Sequence, residues 1–150
     1  VLNGEAHVGL GGEGGTTGRF MAELRQRVFG MRGVTVTGRG GVATADPLPQ
    51  SAFRLGGLKT VRGFDYGTYQ GQAFWSMQGD WTPLKGKVRP VLFVDVGQAG
   101  TVGGVFSQQP LVGAGAGVSF FNGIVRFDVS VPLAGPTTGL RFDIQFGAPR

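Results

Sequence analysis

The feature that most constrains this chain is a two-residue alternation of apolar and polar side chains that recurs along nearly its whole length. In the first segment Leu2, Ala6, Val8 and Leu10 share one face, against Asn3, Glu5 and His7. In the second, Phe20, Ala22, Leu24 and Val28 oppose Glu23, Arg25 and Arg27, with Gln26 interrupting the apolar side. Val34, Val36 and Val42 oppose Thr35, Thr37 and Arg39. After a long gap, Ala73, Trp75, Met77, Gly79 and Trp81 oppose Gln72, Ser76, Gln78 and Asp80, and then Val88, Pro90, Leu92, Val94 and Val96 oppose Lys87, Arg89 and Asp95. Val112 to Phe120 alternates with Gly113, Gly115, Gly117 and Ser119; Val125 to Leu133 with Arg126, Asp128 and Ser130; Leu140 to Phe146 with Arg141, Asp143 and Gln145. Successive side chains of a strand point to opposite faces, so each segment reads as a β-strand with one greasy and one polar side. Eight such strands result, most of them near the ~9–11 residues with which a tilted strand crosses a bilayer.

A soluble sandwich alternates too, and alternation by itself leaves open which face is inside. Nearly every segment carries a charge on its polar side, often of both signs. The connections narrow the choice. Gly30 to Gly33, Lys85-Gly86 and Asn122-Gly123 read as tight turns, whereas Gly11 to Gly18, Ala45 to Gly71, Gln98 to Pro110 and Ala134 to Thr138 read as longer links, in strict alternation. Outer-membrane barrels have short periplasmic turns and longer external loops, which would put both ends of the eight-strand array on the periplasmic side. Trp75 and Trp81 share the apolar face about 20 Å apart along the strand. They suit the two interfaces of a ~25 Å apolar band, or else a packed core. Pro90 lacks a ladder donor and fits near a strand start or a bulge.

Composition excludes several functions. Glycine fills 30 of 150 positions against a usual ~7%, yet shows no Gly-X-Y period, and the apolar content is too high for a disordered glycine-rich tail. With no cysteine and one histidine, His7, thiolate and multi-histidine metal sites are ruled out, and no cofactor is expected. The net charge of +5 is scattered without a basic run, unlike a nucleic-acid footprint. No apolar stretch approaches the ~20 residues of a membrane helix. The acids Asp80, Asp95 and Asp128 have no histidine or nucleophilic serine convincingly placed beside them, so an enzyme is the least expected class; His7 reads as a hydrogen-bonding residue of an interior. The chain begins at Val1, which reads as a processed or trimmed sequence. Residues 1–150 are expected to form a single barrel domain without a periplasmic recruiting domain.

The longest gap holds Phe53-Arg54-Leu55-Gly56-Gly57-Leu58-Lys59-Thr60, then Val61-Arg62-Gly63-Phe64, then Asp65-Tyr66-Gly67. One hairpin later comes Phe93-Val94-Asp95-Val96-Gly97. Together with Asp80-Trp81-Thr82-Pro83-Leu84 and the ending from Gly115 through Leu133, this resembles the C-terminal eight strands of the BamA, TamA and two-partner-secretion translocase superfamily of outer-membrane barrels, the bacterial surface antigen family. The resemblance implies that the loop Val61–Phe64 folds into the lumen, where Arg62 meets Asp95 of the Phe-x-Asp-x-Gly strand motif carried by Phe93, Asp95 and Gly97. By parity Asp95, Asp80 and Gln78 share the polar face, and a lumen arginine needs such partners, ideally bidentate. The glycines Gly113, Gly115 and Gly117 would let a loop backbone lie close. Two features depart from the superfamily pattern: Gly79, beside Asp80, stands where a carboxylate is often found, and Phe146 is followed by Gly147-Ala148-Pro149-Arg150 where a terminal aromatic is usual.

The expected fold is therefore all-β: an antiparallel transmembrane β-barrel with eight strands per chain, closed alone or completed by a second chain to sixteen. An eight-stranded interior is filled by side chains and has no room for a loop of this length. Either the loop sits outside, or two chains pair, or the sequence is part of a longer parent; the inward glycines favour the larger lumen and hence pairing. The implied function is non-enzymatic, related to protein insertion and translocation, with membrane lipid, a second copy and unfolded protein clients as partners, and no nucleic acid. A structural or small-pore barrel is the alternative, and a soluble ligand-binding barrel the more distant one. The expected location is the bacterial outer membrane or an organelle outer envelope.

Overall fold

The alternating segments are rich in valine, phenylalanine and threonine, which suit a pleated surface packed on one side, and they become strands. In the computed structural model residues 2–11, 15–27, 33–43, 52–84 and 86–147 are described, with the backbone alone up to residue 19 and at Asn122. The described residues form ten strands: β1 (Leu2–Gly11), β2 (Gly15–Arg27), β3 (Val34–Ala43), β4 (Phe53–Leu55), β5 (Tyr69–Gly71), β6 (Ala73–Trp81), β7 (Val88–Gly100), β8 (Leu111–Phe120), β9 (Val125–Ala134) and β10 (Arg141–Phe146). Eight of them make one sheet in the order β1-β2-β3-β6-β7-β8-β9-β10, while β4 and β5 pair separately as a hairpin. Every ladder is antiparallel, so the large sheet is a meander in which neighbours in sequence are neighbours in space. Its register sets Gln78 opposite Asp95, Asp95 opposite Gly113, and Gly117 opposite Asp128.

The two faces of this sheet are inverted relative to a soluble protein. Met77, Trp81, Leu92, Val94, Phe127, Val129 and Ile144 are exposed, and Phe142 retains 74% of its accessible surface. On the other face Ser76, Gln78, Ser119 and Ser130 are buried, with Asp95 at 1% and Asp128 at 2%. Soluble proteins bury aspartate rarely and only when it is paired; a wall that meets hydrocarbon outside and a polar interior inside shows this pattern. No helix among the described residues is long and apolar enough to cross a membrane.

What covers the polar face is the stretch of residues 52–72. Its β4–β5 hairpin lays Phe53, Leu55, Val61 and Phe64 against Ala43, Phe74, Ala99 and Leu111, and all of these are buried in one apolar cluster. Phe53 meets Phe74 with ring centroids 4.7 Å apart. Gly41 is glycine for steric reasons: a Cβ there would sit 2.7 Å from the Phe53 ring. Toward the other end of the sheet, β8 and β9 shift register between Val112 and Gly113. The bulge falls where Pro132 of β9 cannot donate to the ladder, which is where such irregularities are tolerated.

Four expectations are corrected. The sheet is open: among the described residues no ladder joins β1 to β10, so an eight-stranded barrel closed alone is not what is found, and the loop packs on the sheet instead of standing away from it. An eight-stranded interior is filled by its own side chains, whereas here the hairpin packs on the polar face of β6 and β7. The link from Gly11 to Gly18 is not long, because Gly15–Gly18 pair with Val8–Gly11; Thr16 and Thr17 are good strand formers, and the strict alternation of link lengths fails there. β7 runs on to Gly100, where Gln98–Gly100 still ladder with Ala73–Trp75. The long gap holds strand structure of its own, too short to read from periodicity. The side chain of His7, and residues Val28, Gly30, Ala45 and Lys85, lie outside the described residues.

A charge on the apolar face should be costly if that face meets lipid. Val94→Arg is expected to lower stability in phospholipid vesicles by about 2–4 kcal/mol, read from urea unfolding followed by tryptophan fluorescence; an unchanged midpoint would mean that Val94 faces water.

Candidate functional site

The tip of the β4–β5 hairpin is built by short-range hydrogen bonds. The Thr60 hydroxyl accepts from the Gly56 backbone N–H at 2.9 Å and donates back to the Gly56 carbonyl at 3.0 Å. Thr68 donates its hydroxyl to the Asp65 carbonyl at 2.7 Å. Between these turns Gly63 adopts φ +93° with its Cα against the Val131–Pro132 peptide, where a Cβ would come within 3.1 Å. Glycine is required there for both conformation and space. The turn pushes Arg62 into the polar face of the sheet, and the residue is 3% exposed.

Arg62 is held on every side. Nε donates to Asp95 Oδ2 at 2.6 Å and Nη2 to Asp95 Oδ1 at 2.6 Å, a bidentate fork. Its backbone N–H adds a third bond to Asp95 Oδ2 at 2.9 Å. Nη1 donates to Asp80 Oδ1 at 2.8 Å. The guanidinium stacks on the Phe93 ring, 3.8 Å from its centroid, a contact that is stronger for a desolvated cation. Burial works against the charge of Arg62, but the hydrogen bond to Asp95 and the fields of Asp80 and Asp95 outweigh it and raise the guanidinium above the ordinary arginine value.

The sheet is shaped to receive this loop. A Cβ on Gly113 would lie 1.9 Å from the Arg62 carbonyl oxygen, so the wall has to be bare at that point. The neighbouring glycines serve the network instead of the loop: a Cβ on Gly115 would strike the Phe93 ring at 2.4 Å, and one on Gly117 would meet Asp128 Oδ1 at 1.9 Å. Gly97 lies under Val61 and the Trp75 carbonyl. Of the residues singled out in the sequence, Val61, Arg62, Gly63, Phe64, Phe93, Asp95, Gly97 and Asp80 thus converge on one locus. Gln78 sits on its flank, donating to the Leu58 carbonyl at 3.1 Å and accepting from Arg39 at 2.5 Å.

Several participants were not singled out from the sequence. Arg126 bridges Asp80 at 2.9 Å and Asp128 at 2.7 Å, and Gln145 donates to Asp128 at 2.6 Å. The chain of contacts therefore runs from β7 through the loop to β6, β9 and β10. Arg39 of β3 ties the loop from the other side, donating to the Lys59 carbonyl at 2.5 Å while pairing with Glu23 at 2.8 Å. Asp65 reaches Arg141 of β10. The available signal was the repeated Arg-Phe-Asp at 126–128 and 141–143, which puts an arginine and an aspartate on the same face of consecutive strands. Each carboxylate here is neutralised by a guanidinium, and no metal-holding cluster exists among the described residues. The arrangement is a clamp for a loop.

The family of haemolysin secretion/activation proteins ShlB/FhaC/HecB matches residues 39–120, more than half of the chain. This protein belongs to the ShlB/FhaC/HecB family. The matched stretch begins at Arg39 on β3, takes in the whole loop with Arg62, Asp80 and Asp95, and ends with β8. No curated protein matched the chain. Membership makes it a secretion-related protein of the Gram-negative outer membrane, in a family of transporters. The extension of the Arg62 network onto β9 and β10 lies beyond the matched residues.

Three substitutions probe the clamp. Arg62→Ala leaves Asp95 buried without its partner and should cost about 3–5 kcal/mol, lowering the temperature at which the folded band disappears on a semi-native gel. Arg62→Lys should recover part of the loss, since lysine cannot form the bidentate fork. Gly113→Val, which removes no bond, should displace the loop and expose the Lys59–Thr60 peptide to protease in a barrel that remains inserted; full protection would show that the loop does not rest on β8.

Proposed function

We propose that this chain forms part of the wall of an outer-membrane pore that secretes an unfolded polypeptide, and that the loop from Ala52 to Gln72 is a lumen element pinned by Arg62 to Asp95 and Asp80. The role is non-enzymatic. The observation that supports it most is the guanidinium of Arg62, buried on the polar side of an inside-out sheet and matched there by two carboxylates from adjacent strands. A loop that is merely solvated has no use for a bidentate buried partner. The apolar face is the lipid contact. Unpaired strand edges do not persist in hydrocarbon, so β1 and β10 are completed either by further strands of the same polypeptide or by a second copy. Polypeptide passage then requires the loop to yield, and ion pairs with polar surroundings can be exchanged for water as it does so.

Secretion tests this reading. In a Gram-negative host lacking the gene, its exported polypeptide should be retained in the periplasm. The wild-type gene should restore release to the medium. Arg62→Ala should fail to restore it while still fractionating with the outer membrane. Normal release by that variant would overturn the proposal, and a steady conductance without release would assign the protein to a plain pore.

A further inference from the structure

The second long link, residues 101–110, goes to the opposite side of the sheet from the pinned loop. Along β7 the alternation places Val88, Pro90, Leu92, Val94 and Val96 on the apolar face, and the next residue on that face is Gln98. A glutamine ending an apolar row would be unpaired against lipid, yet Gln98 is buried. Its side-chain carbonyl accepts from the Trp75 indole N–H at 3.1 Å, and its amide donates to the Gln108 carbonyl at 2.5 Å. Trp75 and Gln98 are register partners on the outward face. The link therefore folds back over the outside of the wall, tied down by the Gln98 amide and by contact of the Phe106 and Trp75 rings, 6.2 Å apart. Within the link Val105 is buried, while Phe106 remains 76% exposed and Val102 is exposed.

We infer that residues 101–110 form a membrane-interface anchor, with Phe106 and Val102 seated at the boundary between acyl chains and headgroups of a lipid leaflet. Three observations point to lipid as the occupant. The segment Thr101-Val102-Gly103-Gly104-Val105-Phe106-Ser107-Gln108-Gln109-Pro110 contains no charged residue, so neither phosphate nor an acidic or basic partner is being selected. The exposed Phe106 ring lies beside Trp75, on the face that carries the exposed apolar row of β6 and β7. Tryptophan with its N–H satisfied is the side chain that marks such a boundary. Gln98 is then a positioning residue, shielding its own amide from lipid while fixing the loop.

This inference rests on the reading of the apolar face as lipid-facing, and one experiment separates the two. The sequence contains no cysteine, so single nitroxide labels can be attached through Phe106→Cys, Leu92→Cys and Gln109→Cys in the intact protein, folded into phosphatidylcholine vesicles. Collision with oxygen reports hydrocarbon, and collision with a water-soluble nickel chelate reports solvent. The label at 106 should favour oxygen, as at 92, while that at 109 favours nickel. Combining Phe106→Cys with Gln98→Ala should shift the label toward nickel. If 92 favours oxygen and 106 behaves like 109, the anchor is wrong and the wall stands; if 92 itself favours nickel, the wall reading fails. A label at 106 that stays in oxygen-rich surroundings with Gln98→Ala would overturn the tether.

Discussion

A guanidinium that is 3% exposed must be matched in charge and in hydrogen bonds, and the structure around Arg62 follows from that requirement. Asp95 supplies the bidentate partner and also receives the backbone N–H of the same residue, which fixes the main chain of the loop as well as its side chain. Asp80 is shared between Arg62 and Arg126, and Arg126 in turn holds Asp128. The network joins β6, β7 and β9, and Gln145 extends it to β10. It can exist because the sheet is inside out: charges are gathered on the face that the hairpin covers, and greasy residues are exposed on the other. In water the same alternation would bury the valines and set the aspartates free.

The steric side of the account is carried by absent side chains. Gly113 admits the Arg62 carbonyl, Gly115 the Phe93 ring and Gly117 the Asp128 carboxylate. A single glycine-alternating strand thus receives the loop, the aromatic platform and the relay acid in three successive inward positions. The two long links then divide the labour. One is drawn inward by arginine, while the other, free of charge, folds outward over Trp75 and Gln98.

Much of this was legible in the sequence because the period of two is strict. β6 runs from Ala73 to Trp81 as the alternation marks it, and the inward parity of Gln78, Asp80 and Asp95 follows from counting residues. The β4–β5 hairpin was not legible, since three-residue strands flanked by glycine carry no period. The extra length of β2 was hidden because Gly15 and Gly18 look like turn residues until a partner strand supplies their hydrogen bonds. Arg126 and Arg141 were missed for a different reason. Their roles depend on which strand stands opposite, and register is a property of pairs that a single segment does not display.

The open edges give the architecture its direction. Among the described residues β1 and β10 each pair on one side only, and hydrocarbon does not tolerate unpaired backbone groups. In the function proposed above, a wider wall completed by strands of the same polypeptide or of a second copy would accommodate both the hairpin and the ionic network.

The central claim is that the Arg62–Asp95 contact holds the loop on the wall, and a double-mutant cycle measures that contact directly. Urea unfolding in vesicles of the wild type, Arg62→Ala, Asp95→Ala and the double variant should give a coupling of about 2 kcal/mol or more. Additivity within about 0.5 kcal/mol would mean that the two residues act independently and would contradict the account.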